Sequence, residues 1–416
     1  MMNLRNFTIL GIITIAIINC SPTAQIDIPA LKSKFQFKLS RYLVKGADVY
    51  NHIRIEEEGI KIFKSSALWG ANDYEFFLPW NDLERYRQLC EEDPELAFQI
   101  YEDNKTPRYP VNWPRLFGDS DENSTFEPTE EQPLKGLKIA LDAGHIAGDI
   151  ETAKLEGKYI EMKYDGKKIS FWEADLAWHT QNYLKHQLEK YGAIVFITRE
   201  YGKTAFGMDY DTWYAKFDEM KDKPDKGRMF WKYFRYKDND ERVKIVNDFE
   251  PDLTLIMHYN VDGGNRPWKK PVSSNFSMAF TGGAFMDGEL FDKERRFNLL
   301  RLLLTDDIEE SAKFSNEVLQ ILEKDAGIPI HASSERRKGN TIKTDYQGVY
   351  ARNLSLSGRI YGTLCYAEPL FQDNRDEVVR LSTRDYEFEG EMIPSRVVEI
   401  AQSYEKAILN YAKTLK

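Results

Sequence analysis

The chain has 416 residues, 57 of them basic and 67 acidic, for a formal net charge of −10. That balance argues against nucleic acid as a partner, and it gives no long-range attraction toward an acidic polymer, whose recognition would rest on local contacts in a groove. The length accommodates a catalytic domain with a sizeable core plus a smaller module.

At the N-terminus Arg5 precedes the apolar run FTILGIITIAIIN and then Cys20. The run is too short for a comfortable membrane span but suits the core of a signal peptide. Ile17-Ile18-Asn19-Cys20 resembles a relaxed bacterial lipobox. Residues 1–20 are therefore read as a lipoprotein signal segment, with Cys20 as the lipidated residue. An ordinary signal peptide with an incidental cysteine is the alternative. Export would leave Cys90 and Cys365 as the remaining thiols, with Cys365 expected as a buried small hydrophobe and no disulfide expected between them.

Residues 21–118 read as a small α+β module behind a short tether. HIRIEEEGIKIFKSS carries two short strands turning at Glu58-Gly59, and WNDLERYRQLCEEDPELAFQIYE reads as helical with Asn81 as its cap. His52 is expected at the surface or in a turn. The stretch 119–134 is acidic and poor in apolar residues, so it reads as a linker. From Lys135 to the C-terminus strands and helices alternate. The expected fold class is α/β, a mostly parallel central sheet with helices on both faces, preceded by the α+β module.

Two apolar runs, LKIALDAGH and DLTLIMHYN, have the character of buried parallel strands and end near His145 and His258. In an open α/β sheet the chemistry gathers at the carboxyl ends of strands, so the two imidazoles are expected close together. Glu173 opens EADLAWHTQNYLKHQL, where Leu176, Thr180, Leu184 and Leu188 mark a helix packing one face inward. A carboxylate there sits at the positive end of the helix dipole. Two imidazoles and one carboxylate with a free fourth position are the ligand set of a hydrolytic zinc site. Glu368, in TLCYAEPLF, is a lone acid beside an apolar strand, where burial without a partner is costly. Next to a metal it could transfer protons. His179 and His186 read as solvated or peripheral. Taken singly, each of these residues also has a purely structural reading, as a satisfied loop histidine or a helix-opening acid.

Four blocks in order resemble the motifs of the zinc-dependent N-acetylmuramoyl-L-alanine amidases of the amidase-3 family. They are LDAGH, FWEADLAWHTQNYLKHQLEKYGAIVFITRE, DNDERVKIVNDFEPDLTLIMHYN and GVYARNLSLSGRIYGTLCYAEPLFQDN, and the likeness runs from about Leu137 to the C-terminus. The resemblance implies a Zn2+ cofactor on His145, Glu173 and His258, with Glu368 as the catalytic acid–base. It implies substrate contacts from Arg352 and Asn353, while Arg242 and Asn247 read as structural. The implied reaction is hydrolysis of the amide between N-acetylmuramic acid and L-alanine in peptidoglycan. The implied location is exported and lipid-anchored to a bacterial membrane, facing the periplasm or cell envelope. A zinc peptidase acting on stem peptides, or a silent wall-binding lipoprotein, stays open as an alternative.

The chain departs from the family in three places. The glycine-rich tail after the first histidine is reduced to Ile146-Ala147-Gly148-Asp149, and the following stretch to Ser170 is long, which makes Asp149 and Glu151 rivals of Glu173. A second insertion spans about 201–237. A third, about 284–309, carries leucines 299, 300, 303 and 304 on one helical face, with the acids Asp287, Glu289 and Glu294. Division-associated family members insert a helix at this point that blocks the cleft until a partner removes it. The insertion is thus read either as a plug answering to an activator protein or as a plain surface helix.

Overall fold

The computed structural model describes residues 27–110, 126–333 and 337–415. The signal segment with Cys20, most of the tether, and the stretch 111–125 holding the end of the module and the first part of the acidic linker lie outside the described residues.

In the N-terminal module, strands β1 (Ile53–Ile55), β2 (Gly59–Ile62) and β3 (Phe76–Pro79) form an antiparallel sheet in that order. Gly59 is required where β2 starts: a Cβ there would lie 2.0 Å from the Leu78 carbonyl oxygen. The stretch expected as one helix capped by Asn81 is two. Leu83–Glu92 ends at Asp93, whose side chain caps the next helix, Pro94–Asp103, with proline in its first turn.

The catalytic domain holds a central sheet. Its strands are β4 (Lys138–Ala143), β7 (Ile194–Ile197), β8 (Leu253–Met257), β9 (Met278–Thr281), β10 (Arg337–Lys338), β11 (Thr341–Lys343), β12 (Val349–Ala351) and β13 (Leu364–Glu368). Between β4 and β7 lies a hairpin, β5 (Tyr159–Tyr164) with β6 (Lys167–Trp172), and β14 (Arg384–Phe388) pairs with β15 (Glu391–Pro394) near the C-terminus. The order across the sheet is β10-β11-β12-β9-β13-β8-β4-β7. Strands β13, β8, β4 and β7 run parallel, β9 opposes β13, and β12 follows β9.

Alternation along each strand explains the two helical layers. Ile139 and Leu141 of β4, Leu255 and Met257 of β8, and Cys365 and Ala367 of β13 pack toward one face. That face is covered by the helices Glu173–Lys190, Asp307–Ala326 and Ser395–Ala412. Ala140, Ile256 and Leu364 point the other way, against Val243 and Val246 of the helix Arg235–Phe249. The expected mostly parallel sheet with helices on both faces is what forms. From β4 the chain moves to β7 on one side, then crosses to β8 on the other. This opens a crevice where the carboxyl ends of β4 and β8 part company, the place where such folds bind ligands.

The insertion at 284–309 packs against the N-terminal module. Its helix, Lys293–Leu304, is buried along its C-terminal nine residues, and Phe297, Leu299, Leu300, Leu303 and Leu304 join one apolar cluster with Leu39, Val49, Ile60, Phe76 and Tyr101 of the module. Its acids have partners of their own: Asp287 with His52, Glu289 with the Met286 backbone, and Glu294 with Arg359. The N-terminal module therefore docks on this helix. His52, expected at the surface, is buried in the docking contact because both ring nitrogens find partners, the Phe63 carbonyl and Asp287. The end of the expected linker also packs down, with Leu134 buried and its N–H donating to Tyr191. Cys90 and Cys365 are buried and unpaired.

Candidate metal centre and active site

Three adjacent parallel strands deliver the central residues. His145 follows β4 after Gly144, His258 follows β8 directly, and Glu368 is the last residue of β13. The turn after β4 is tightly held. Arg242 donates to the carbonyls of Ala143 (2.9 Å) and His145 (2.7 Å), and Arg199 to those of Ala143 and Gly144. Arg242 is itself ion-paired with Asp142 and Asp238. Gly144 leaves the space that the second imidazole uses, since a Cβ there would stand 2.4 Å from His258 Cε1. His145 takes a left-handed backbone, φ 65°, which turns its ring toward His258.

Glu173 opens its helix fully buried. Its Oε1 lies 3.1 Å from His145 Nε2 and 3.0 Å from His258 Nδ1, and those two nitrogens are 3.1 Å apart. The opposite nitrogen of each ring is taken. His145 Nδ1 lies 2.9 Å from Glu156 Oε1, and His258 Nε2 lies 2.7 Å from the Tyr366 hydroxyl, whose ring stacks on the imidazole. In the tautomers where Nδ1–H of His145 donates to Glu156 and Nε2–H of His258 donates to the Tyr366 hydroxyl, both inward nitrogens are free to bind a cation. Tyr259 N–H also donates to Glu173 Oε1, while Lys158 and Gln372 donate to Oε2.

The two rings titrate differently. Burial pushes the His258 imidazole down to about 4, so it is a neutral acceptor. Burial also opposes charge on His145, but the carboxylates of Glu173 and Glu156 outweigh it and raise its pKa. For Glu173 burial favours the neutral acid, yet His145 and Lys158 hold it well below the usual carboxylate range. Two imidazoles and an ionised carboxylate converging at these distances leave a centre suited to a cation, which would take the place of the proton that the carboxylates favour on His145. The nitrogen–nitrogen–oxygen donor set, with each ring fixed by a further partner, fits zinc.

Glu368 differs. Burial first, then the negative charge of Glu173, pushes its carboxyl up to about 8, and its Oε2 is buried without a hydrogen-bond partner among the described residues. A carboxyl held near neutrality beside a cation site can both take and return a proton.

Of the other expected site residues, Arg352 lies over the Phe280 ring and close enough to Glu368 to lower its pKa. Asn353 is turned away, its Oδ1 accepting from Arg295 of the insertion. The rivals of Glu173 are elsewhere: Asp149 caps the helix Ile150–Glu156, and Glu151 is exposed beside Lys154. His179, expected peripheral, is buried 3.3 Å from Asp175, while His186 is exposed. Four residues around the centre were missed from sequence: Glu156, Lys158, Tyr366 and Gln372. Only Tyr366 had a signal, standing two residues before Glu368 on the same strand face.

A family model described as N-acetylmuramoyl-L-alanine amidase, amidase-3, matches residues 139–390, which include both histidines, Glu173 and Glu368. The chain belongs to the amidase-3 family. Its class is thus that of N-acetylmuramoyl-L-alanine amidases, hydrolases that degrade peptidoglycan. Among solved structures this amidase is similar to the CwlD amidase of Clostridioides difficile, determined in complex with the GerS lipoprotein, at 15% identity, 67% of this chain, 99% of that chain and a TM-score of 0.40. It is also similar to the amidase Ami1 of Mycobacterium smegmatis, at 12% identity, 67% and 98% coverage and a TM-score of 0.40. No curated protein matches it.

Proposed function

We propose that this amidase hydrolyses the bond between the lactyl group of N-acetylmuramic acid and L-alanine with a zinc ion held by His145, Glu173 and His258. The observation that supports this reading best is the convergence of three ligand atoms within 3.1 Å of one another, the outer nitrogen of each histidine being held by Glu156 or Tyr366. When bound, zinc supplies Lewis acidity toward the scissile carbonyl and toward water. Glu368 accepts the proton of the attacking water and returns it to the departing nitrogen of L-alanine. Arg242 and Arg199 hold the His145 turn so that its ring stays aimed. The products are a glycan strand bearing free lactyl carboxylates and a free stem peptide.

The experiment is digestion of purified sacculi by the soluble protein, with zinc content measured on the same sample. About one zinc per chain and muramic acid with unsubstituted lactyl groups are expected, and both should vanish on chelation and return with zinc. Products cut within the stem peptide, with lactyl groups still substituted, would instead identify a peptidase. We also propose export and lipid anchoring through Cys20, supported by the apolar run and lipobox-like segment before it. A mature N-terminus other than a lipid-modified Cys20, read by mass spectrometry, would refute it.

A further inference from the structure

The cavity of about 150 Å³ at the metal centre is lined by His145, Glu156, His258 and Tyr366, and on one wall by Arg235 and Asn239. Arg235 opens the helix Arg235–Phe249 at the end of the 201–237 insertion. That insertion folds as an aromatic lobe, with Tyr210, Trp213, Phe230 and Phe234 packed against Ile146, the residue after the first histidine. The lobe thereby sets Arg235 beside the reacting centre.

Unlike Arg242, Lys158 and Arg359, Arg235 has no acid partner among the described residues. Arg242 is paired with Asp142 and Asp238, Lys158 with Glu173, and Arg359 with Glu294 and Asp240. No carboxylate among the described residues pairs with Arg235, and its Nε is buried without a hydrogen-bond partner. The rings of Trp231 and Tyr236 lie 4.8 and 4.9 Å from its guanidinium carbon, so cation–π contacts hold the group in place without using its donors. The two acids that share the cavity wall are already engaged by other partners, Glu156 by His145 and Asp238 by Arg242. A pre-positioned guanidinium with free donors is the chemistry that binds carboxylate in two parallel hydrogen bonds. A chain of net charge −10 needs such a local cation to hold an anionic ligand.

We infer that Arg235 forms a carboxylate-recognising subsite on the peptide side of the cleft; this rests on the reaction proposed above. The side follows from the chemistry of the substrate. The lactyl carboxyl of muramic acid is consumed in the scissile amide, so every free carboxylate of a muramoyl peptide lies beyond the L-alanine.

Two soluble muramoyl peptides test this, alike except that the residue after L-alanine carries either a free α-carboxylate or its carboxamide. The wild-type protein should show a KM at least about tenfold lower for the carboxylate form, the scale of one hydrogen-bonded charge pair. Arg235→Met, which keeps an apolar stem against the rings, should raise KM for the carboxylate form alone and erase the preference, with kcat, zinc content and Tm unchanged. Arg235→Lys should restore part of it. A wild-type protein without the preference, or a preference that survives in Arg235→Met, overturns the subsite while leaving the amidase reading intact. Failure of the wild-type protein to release L-alanyl peptide from either compound overturns both.

Discussion

Glu156 lies 2.9 Å from His145 Nδ1, and the imidazole between them points its other nitrogen at Glu173 and His258. The contact fixes tautomer and ring orientation together, and it comes from the long segment between the first two ligands. Groups that orient a ligand in this way are typically worth about 10- to 100-fold in metal affinity. Glu156→Gln should weaken zinc binding by about that factor in competition with a chromogenic chelator. Glu151→Gln, altering an exposed acid paired with Lys154, should leave affinity unchanged. Equal affinities for wild type and Glu156→Gln would remove Glu156 from the metal centre.

Glu368→Gln separates proton transfer from metal binding. The substitution keeps the volume of the side chain and removes the group that titrates. Zinc content should stay at the wild-type level while turnover falls by about 10²- to 10⁴-fold, the usual contribution of a positioned acid–base. Loss of zinc along with activity would make Glu368 a ligand.

Arg242 has two duties, one in the buried pair with Asp142 and Asp238 and one on the His145 carbonyl. Removing one partner of a buried ion pair leaves an uncompensated charge and typically costs roughly 3–5 kcal/mol. Arg242→Met should lower stability by about that much in urea unfolding, and the released turn should bind zinc more weakly. A variant as stable as wild type would show that Asp142 and Asp238 do not depend on it.

Phe297, on the insertion helix, packs its ring 5.1 Å from Phe98 and 5.7 Å from Tyr101 of the module. Phe297→Ala should destabilise the protein by about 3–5 kcal/mol, the range for emptying a buried aromatic site. Basal activity on purified peptidoglycan should not rise, because the insertion braces the module rather than covering the centre. A folded Phe297→Ala protein with higher activity than wild type would revive the plug.

The sheet, both histidines and Glu368 were legible because strands buried on both faces must be apolar nearly throughout, so a histidine or glutamate at the end of one is conspicuous, while Glu173 was legible as the acid opening a helix within a family-like block. Glu156 and Lys158 were not legible, since their places depend on how the hairpin of β5 and β6 folds back over the first ligand. The insertion helix misled for a different reason. Leucines 299, 300, 303 and 304 announce one apolar face, but Arg296, Asn298 and Arg301 are buried as well. Arg296 reaches Glu75 at 2.6 Å and Arg301 pairs with Asp307, so ion pairs carry charged residues into a second contact that periodicity does not reveal. His52 was misread on the same account, its partner Asp287 lying 235 positions away.

The segment 111–125 joins two bodies that are already joined through space. Val44 bridges Phe285, Glu75 meets Arg296, and the leucines of the insertion complete the apolar interior of the module. The peptide connection is therefore redundant as a joint. Two separately synthesised fragments, one ending and the other beginning within that segment, would be expected to find each other and assemble as a single particle. Any tether attached ahead of residue 27 would then hold the hydrolase through this contact as well as through the segment between them, so release would require the two bodies to separate and not scission alone.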